Sequence, residues 1–263
     1  MRVACAITLL VLCSISASRA AAQSYEEHMA RGDSLRDALK PAEALEEFRA
    51  AFFANQTYEA SWKFARAQVD VAKQIEENGN KDLRDSLYWV AKLYAEAAIR
   101  KDSTDPEGQF MLANALGRLS RTRGGKERVR FAREIYDLAS RALELDPDHD
   151  GAEHVIGAWH AEIMRLSGLT KFFAKTFLGA GFMNRASWDS AVVHLEHSVR
   201  LKPDYLYHRL ELAEVYVDLK RWDDARTQLE EIGRLAPTSD VMDHTYKEEA
   251  LRLLAEIREE AEQ

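Results

Sequence analysis

Apolar residues recur along most of the chain at intervals of three and four positions, with charged residues between them. Ala44, Phe48 and Ala51, for example, fall on one helical face. A similar pattern extends from Trp62 to about Ile75, and another runs from about Val241 to Glu260. This periodicity predicts a succession of amphipathic α-helices.

The small residues of the first predicted helix pair fall at regular offsets. Counting from Gly32, Ala44 lies 12 positions on, Phe48 lies 16 on and Ala51 lies 19 on. Small residues at Gly32 and Ala44 would let two helices approach closely, and Phe48 would fill the space between them. Pro41 opens the second helix, where its missing N–H costs nothing.

The same offsets recur near the end of the chain. From Ala213, Ala225 lies 12 positions on, Leu229 lies 16 on, and Pro237 stops the helix 24 on. Pro203 and Pro237 are 34 residues apart, which is the period of one tetratricopeptide (TPR) unit. The chain therefore resembles the tetratricopeptide repeat family. The resemblance implies an all-α fold, a right-handed superhelical solenoid with a C-terminal capping helix.

Between these ends the repeat period lengthens. Small residues at Ala91, Ala139 and Ala191 indicate the second helices of three further pairs. The fourth pair carries a long insertion, from Arg165 to Arg185, between its two helices. We predict about five helix pairs, three of them with lengthened turns.

A second resemblance covers the stretch from Gly151 to Leu254. This stretch is similar to the C-terminal repeats of the regulator of microtubule dynamics family. The matching residues are Gly157, Trp159, Leu166, Phe177, Gly179, Ala186, Ser187, Ala191, Leu195, Pro203, Leu212, Ala213, Tyr216 and Ala225. That family has no agreed enzymatic activity, so the resemblance implies a fold and no reaction.

Composition agrees with an all-helical protein. Hydrophobic residues make up 46% and charged residues 30%, as in globular proteins. The 12 glycines and 5 prolines are too few for a turn-rich β-sandwich or barrel. The net charge of −8 disfavours nucleic acid as the main partner.

Residues 1–22 predict a secretory signal peptide. Arg2 provides a positive start, Ala4–Ile15 is an unbroken run of apolar or small residues, and Ala20 and Ala22 match the A-x-A cleavage pattern. We expect cleavage after Ala22 and a periplasmic or secreted protein.

Cleavage would leave residues 23–263 as the helical repeat domain, with a net charge of −10 because Arg2 and Arg19 are lost. An uncleaved anchor helix is an alternative, although the apolar run falls below the ~18 residues usually needed to span a membrane. A lipoprotein is another, although Leu12 stands before Cys13 where a lipobox requires a small residue.

Candidate chemistry in the mature chain is sparse. Both cysteines lie within residues 1–22, which excludes disulfides, thiol catalysis and zinc–thiolate sites after cleavage. His194 and His197 share a helix face, but the sequence places no third metal ligand beside them. Phosphate loops, G-x-S-x-G and H-E-x-x-H motifs are absent. We therefore predict no catalytic residues, no metal and no cofactor.

The insertion is crowded with aromatic residues and has no acidic residue. Lys171 and Lys175 stand among Phe172, Phe173, Phe177 and Phe182. The aromatic side chains could pack beside Trp159 into the concave groove, or form a flap that binds a partner. Alternatively, the 171–183 segment could form a basic amphipathic surface on a membrane.

The first helices of the pairs predict a partner-binding groove. Its candidate residues are Lys63, Phe110, Asn114, Arg118, His154, Tyr207, Leu210 and Glu214. The Lys and Asn pattern of a clamp for a peptide carboxylate is incomplete here. We predict a non-enzymatic scaffold that binds a protein or peptide in an exported compartment. The alternative is a peripheral membrane or lipid-binding protein that uses the 171–183 segment.

Overall fold

The computed structural model describes residues 24–261, and within them the chain forms twelve α-helices and one 3-10 helix. The first helix, α1, is described over residues 24–37. The remaining helices are α2 (Pro41–Ala54), α3 (Tyr58–Asn78), α4 (Lys81–Lys101), α5 (Pro106–Ser120), α6 (Gly125–Leu145), α7 (Asp150–Arg165), α8 (Gly168–Leu178), η1 (Gly181–Arg185), α9 (Trp188–Leu201), α10 (Leu206–Asp218), α11 (Trp222–Arg234) and α12 (Asp243–Ala261). The predicted signal peptide, residues 1–22, lies outside the described residues.

The helices form five antiparallel pairs and a closing helix. The pairs are α1 with α2, α3 with α4, α5 with α6, α7 with α9, and α10 with α11, and α12 packs on the last of them. Successive first helices of the pairs also contact one another, from α3 through α5, α7 and α10 to α12. They therefore form the inner layer of a curved array, and the second helices form the outer layer. The predicted all-α repeat solenoid is confirmed.

The helices begin and end where local sequence requires. Helix α3 starts at Tyr58, four residues before the predicted Trp62, because the Thr57 hydroxyl accepts a hydrogen bond from the Ala60 N–H at 3.0 Å. It ends at Asn78, and the C-cap residue Gly79 follows with a φ of 83°, which suits a residue without a side chain. Helix α12 starts at Asp243, two residues later than predicted, because the preceding residues form a turn.

Two glycines allow the close helix contacts on which the pairs depend. A Cβ atom on Gly32 would lie 2.7 Å from the Phe48 ring, and one on Gly157 would lie 2.6 Å from Leu195 Cγ. Both distances are too short for carbon atoms in contact, so only glycine fits at these crossings without displacing its neighbour. Phe48 and Leu195 are themselves fully buried. The steric role inferred for Gly32 from its spacing therefore has a direct structural basis.

The insertion between α7 and α9 packs on the outer layer of the array. Helix α8 contacts α6, and Ala174, Ala180 and Met183 are buried there in the main hydrophobic core. Phe182 is half-buried, with its ring centroid 6.2 Å from that of Trp159. The side chains of Phe173 and Phe177 lie outside the described residues. No described helix is both long and apolar enough to cross a membrane.

Candidate functional site

The inner face of the array, formed by the exposed sides of α1, α3, α5, α7, α10 and α12, carries many charged and aromatic side chains. On α3, Lys63 Nζ lies 2.7 Å from Asp33 Oδ2 and 2.7 Å from Glu59 Oε1. The guanidinium of Arg66 lies 3.5 Å from Asp33 and 5.0 Å from the centre of the Trp62 ring. The Nε atom of Arg66 is buried and has no hydrogen-bond partner among the described residues. This end of the inner face is therefore held by ion pairs between α1 and α3.

The turn before α12 reaches across the inner face to the first two helix pairs. Lys73 Nζ lies 2.9 Å from Asp240 Oδ2, and both side chains are buried. Tyr205 donates a hydrogen bond to the same Asp240 carboxylate. Beside them, Arg36 donates to the Ser239 hydroxyl at 3.2 Å. The Lys73–Asp240 and Arg36–Ser239 contacts join residues that are 167 and 203 positions apart in the sequence. They therefore close the curved array on itself.

The electrostatics of the buried pair follow from its surroundings. Burial alone would raise the pKa of Asp240, but the Lys73 ammonium and the hydrogen bonds from Tyr205 and Lys73 outweigh it and lower the pKa to about 2. Burial acts to lower the pKa of Lys73, yet the surrounding negative groups, Asp240 among them, leave it raised. Both residues are therefore charged at neutral pH.

An aromatic cluster lies next to this pair. The Tyr207 and Tyr246 rings stack with centroids 4.8 Å apart, and His154 lies 4.7 Å from Tyr207. The Arg118 guanidinium sits 5.8 Å from the centre of the Tyr207 ring. Three of the sequence-predicted groove residues, Arg118, His154 and Tyr207, therefore come together. The hydroxyl of Tyr246 is buried and has no hydrogen-bond partner among the described residues.

Two buried histidines continue the cluster toward α7. His208 Nε2 lies 2.8 Å from the Asp150 carboxylate, and its Nδ1 lies 3.1 Å from His154 Nδ1. With Nε2–H donating to Asp150, the neutral His208 ring accepts the Nδ1–H of His154. Burial, aided by nearby positive charge, lowers the pKa of His154 well below its ordinary value. His154 is thus a neutral, hydrogen-bonded residue of the interior.

The opposite part of the inner face is acidic. Arg165 on α7 lies within 3.6 Å of carboxylate oxygens of three α10 residues, Glu211, Glu214 and Asp218. Burial, together with the neighbouring Glu211 carboxylate, raises the pKa of Glu214 to about 7, although Arg165 opposes this shift. One arginine therefore does not neutralise the three carboxylates, and this region favours a further positive group.

The remaining predicted groove residues occupy different environments. Phe110 is half-buried, 4.8 Å from the His149 ring, and Asn114 is partly exposed on the inner side of α5. Leu210, with 3% of its surface exposed, belongs to the hydrophobic core between α10 and its neighbours. Sequence reasoning does not identify Lys73, Asp240 or Tyr246. Lys73 and Tyr246 carry no signal beyond a position on a predicted helix, and Asp240 lies in the turn just before one.

His194 and His197 are explained by a structural contact. Their Nδ1 atoms lie 2.5 Å and 2.9 Å from the two carboxylate oxygens of Glu153 on α7. The contact joins α7 to α9 across the insertion. Within the described part of the chain, no group of three or more His, Cys, Asp or Glu residues is arranged to hold a metal ion.

Comparison with known proteins identifies related sequences and folds. The family model "Regulator of microtubule dynamics protein 1-3" matches residues 25–258. Rat regulator of microtubule dynamics protein 3 is 27% identical over 110 residues, which are 42% of this chain but only 23% of the rat protein. Bovine regulator of microtubule dynamics protein 1 is 22% identical over 178 residues, covering 67% of this chain and 55% of that protein.

Solved structures agree on the architecture. A thermophilic TPR protein of Thermus thermophilus, TTC0263, has a TM-score of 0.63 at 20% identity and covers 86% of this chain and 98% of its own. PilF of Pseudomonas aeruginosa has a TM-score of 0.52 at 12% identity, covering 90% of each chain. At these identities the similarity concerns the fold alone.

Proposed function

The chain belongs to the regulator of microtubule dynamics protein 1–3 family, and we propose that it is a non-enzymatic scaffold whose inner face binds a protein or peptide. The observation that carries this proposal is the chemistry of the inner face. A solenoid needs only apolar contacts between neighbouring helices for stability. Here the inner face instead presents charges of both signs, together with the half-buried ring of Tyr207.

The distribution of charge supports a polypeptide as the ligand. The carboxylates around Arg165 suit a lysine or arginine side chain, and the partly exposed amide of Asn114 can exchange hydrogen bonds with a backbone amide. The half-buried Tyr207 ring beside Arg118 adds a partly apolar surface. The curvature of helical solenoids creates the extended concave surfaces with which they bind their partners.

We also propose that the protein works in an exported compartment. Support comes from residues 1–22 alone, with their positive start, apolar run and A-x-A ending. Mass spectrometry of the protein isolated from the envelope fraction of its own cells tests this. A mature chain beginning at Gln23 is the expected result, and an intact Met1 start in the cytoplasm would contradict it.

Co-purification with matched substitutions tests the scaffold. Tagged protein is isolated from envelope extracts as wild type, as Asn114→Arg on the inner face and as Val193→Arg on the outer helix α9, where the side chain is 61% exposed. We expect a specific set of proteins that Val193→Arg retains and Asn114→Arg loses, with both variants equally helical by circular dichroism. Equal retention by the two variants would contradict an inner-face site.

A further inference from the structure

The surface of α8 exposes large apolar side chains. Leu169 is 67% exposed and Phe172 is 59% exposed, and Leu178 at the end of the helix is 36% exposed. Ala174, on the side of α8 away from Leu169 and Phe172, is buried, so the helix packs on the array through a small residue and directs Leu169 and Phe172 outward. Leu178, one turn after Ala174, lies at the edge where α8 meets the array. Side chains of this size normally contribute to stability only when they are removed from water.

The same surface is basic, in an acidic protein. The chain has a net charge of −8, yet residues 165–185 include no aspartate or glutamate. Lys175 is exposed on α8, and Arg133 of α6 donates a hydrogen bond to the Gly179 carbonyl at 3.0 Å, which places its charge at the end of α8. Leu178 lies beside Gly125, so the exposed Lys126 adjoins the surface as well.

Neighbouring carboxylates offset this charge only in part: Glu134 and Asp137 of α6 line the same concavity as Arg133, whereas two others are already paired. Glu127 pairs with Arg123 and Arg130, and Glu162 pairs with Arg128 and Arg165. In the described part of the chain, Lys126, Arg133 and Lys175 have no carboxylate within ion-pair distance. The α8 surface, defined as Leu169, Phe172, Lys175, Leu178 and Lys126, is therefore both apolar and cationic.

We propose that the α8 surface docks on an anionic membrane, a property beyond the proposed scaffold function. Apolar side chains enter the boundary between headgroups and acyl chains, and cations remain at the level of the phosphates. A second copy of the chain fits less well, because a two-fold contact would place this cationic surface against itself. Anionic lipid satisfies both features together, since each lysine or arginine near such a surface adds to the attraction.

Flotation with vesicles tests the proposal. Full-length mature protein is mixed with vesicles of phosphatidylcholine alone, or of phosphatidylcholine with phosphatidylglycerol. We expect flotation only with the anionic vesicles, and less of it as salt is raised. Phe172→Asp and Leu169→Asp are each expected to weaken binding by roughly tenfold or more, because each removes an inserting apolar side chain. Lys175→Glu is expected to weaken it by at least about fivefold.

Matched controls separate docking from general effects. Phe53 on α2 is 63% exposed and Leu251 on α12 is 66% exposed, so Phe53→Asp and Leu251→Asp make the same chemical change elsewhere. Both controls should float like the wild type, and all variants should keep the wild-type melting temperature within a few degrees. Failure of the wild type to bind anionic vesicles would overturn the proposal. Two other results would also overturn it: an equal loss of flotation in the control variants, or flotation that does not change with salt or with the charge of the lipid. These outcomes leave the scaffold proposal standing, because the inner-face variants lie elsewhere.

Discussion

Substitution of Asp240 by asparagine removes one charge from the contact that closes the array. The asparagine keeps the shape of the carboxylate but leaves the buried Lys73 ammonium without its ion-pair partner. The pKa of Asp240 falls from 3.8 to about 2 on folding, which corresponds to about 2 kcal/mol of stability at neutral pH. Breaking one partner of a buried ion pair typically costs about 3–5 kcal/mol. We therefore expect Asp240→Asn to lower the free energy of unfolding by at least about 2 kcal/mol.

The pH dependence gives the same prediction a second readout. A carboxylate whose pKa is lowered by folding stabilises the protein above its unfolded pKa, and this stability is lost as the pH falls through its folded pKa. Wild type should therefore lose the contribution of Asp240 between about pH 4 and pH 2, where Asp240→Asn has nothing to lose. Urea unfolding followed by circular dichroism across this range measures both proteins.

A second substitution separates the ion pair from other roles of Asp240. In Lys73→Met with Asp240→Asn, the unpaired ammonium is gone, so most of the lost stability should return. A loss below about 0.5 kcal/mol in Asp240→Asn at neutral pH would refute the reasoning. A double variant no more stable than the single one would also refute it, since it would show that the buried charge is not the cause.

Three further predictions concern packing, histidine and tyrosine, and urea unfolding measures all of them. Gly157→Ala should lower the free energy of unfolding by about 1–3 kcal/mol through overpacking. Gly117→Ala, which has open space around its Cβ, should raise it by up to about 1 kcal/mol. The opposite order would contradict the close helix contact at Gly157. Burial, followed by the neighbouring imidazole of His194, lowers the pKa of His160 to about 4. As the pH drops from 6.5 toward 4, the unfolded chain therefore takes up a proton at His160 before the folded chain does, and the free energy of unfolding should fall. His160→Gln should reduce this pH dependence, and an unchanged pH dependence would contradict the lowered pKa. Tyr205→Phe removes a hydrogen bond to the buried Asp240 carboxylate and should lower the free energy of unfolding by about 1–3 kcal/mol. Tyr246→Phe removes a hydroxyl without a hydrogen-bond partner and should change it by no more than about 0.5 kcal/mol. Equal losses would contradict the hydrogen bond from Tyr205 to Asp240.

The helix pairs could be predicted because their determinants are local. The 12- and 16-residue offsets from Gly32 and Ala213 follow from the close crossing of two helices joined by a short turn. Helix ends do not follow from the apolar pattern alone, since a cap such as the Thr57 hydroxyl extends a helix beyond that pattern.

The inner-face contacts could not be predicted in the same way. Whether Lys73 meets Asp240 depends on a curvature summed over five helix pairs, and no interval in the sequence encodes it. The helix pattern predicts Leu210 in the groove, but Leu210 is buried, because one position along a helix rotates a side chain by about 100°. Arg118 and Tyr207 follow from the same pattern and do lie together.

Site-specific photo-crosslinking tests the central claim, binding at the inner face, most directly. A photoreactive amino acid is placed at Asn114 or, as the matched outer position, at Val193, and the cells that export the protein are irradiated. We expect a discrete crosslinked protein from Asn114, and none of that size from Val193. Crosslinks of equal yield from both positions, or from Val193 alone, would contradict the claim that the inner face holds the partner.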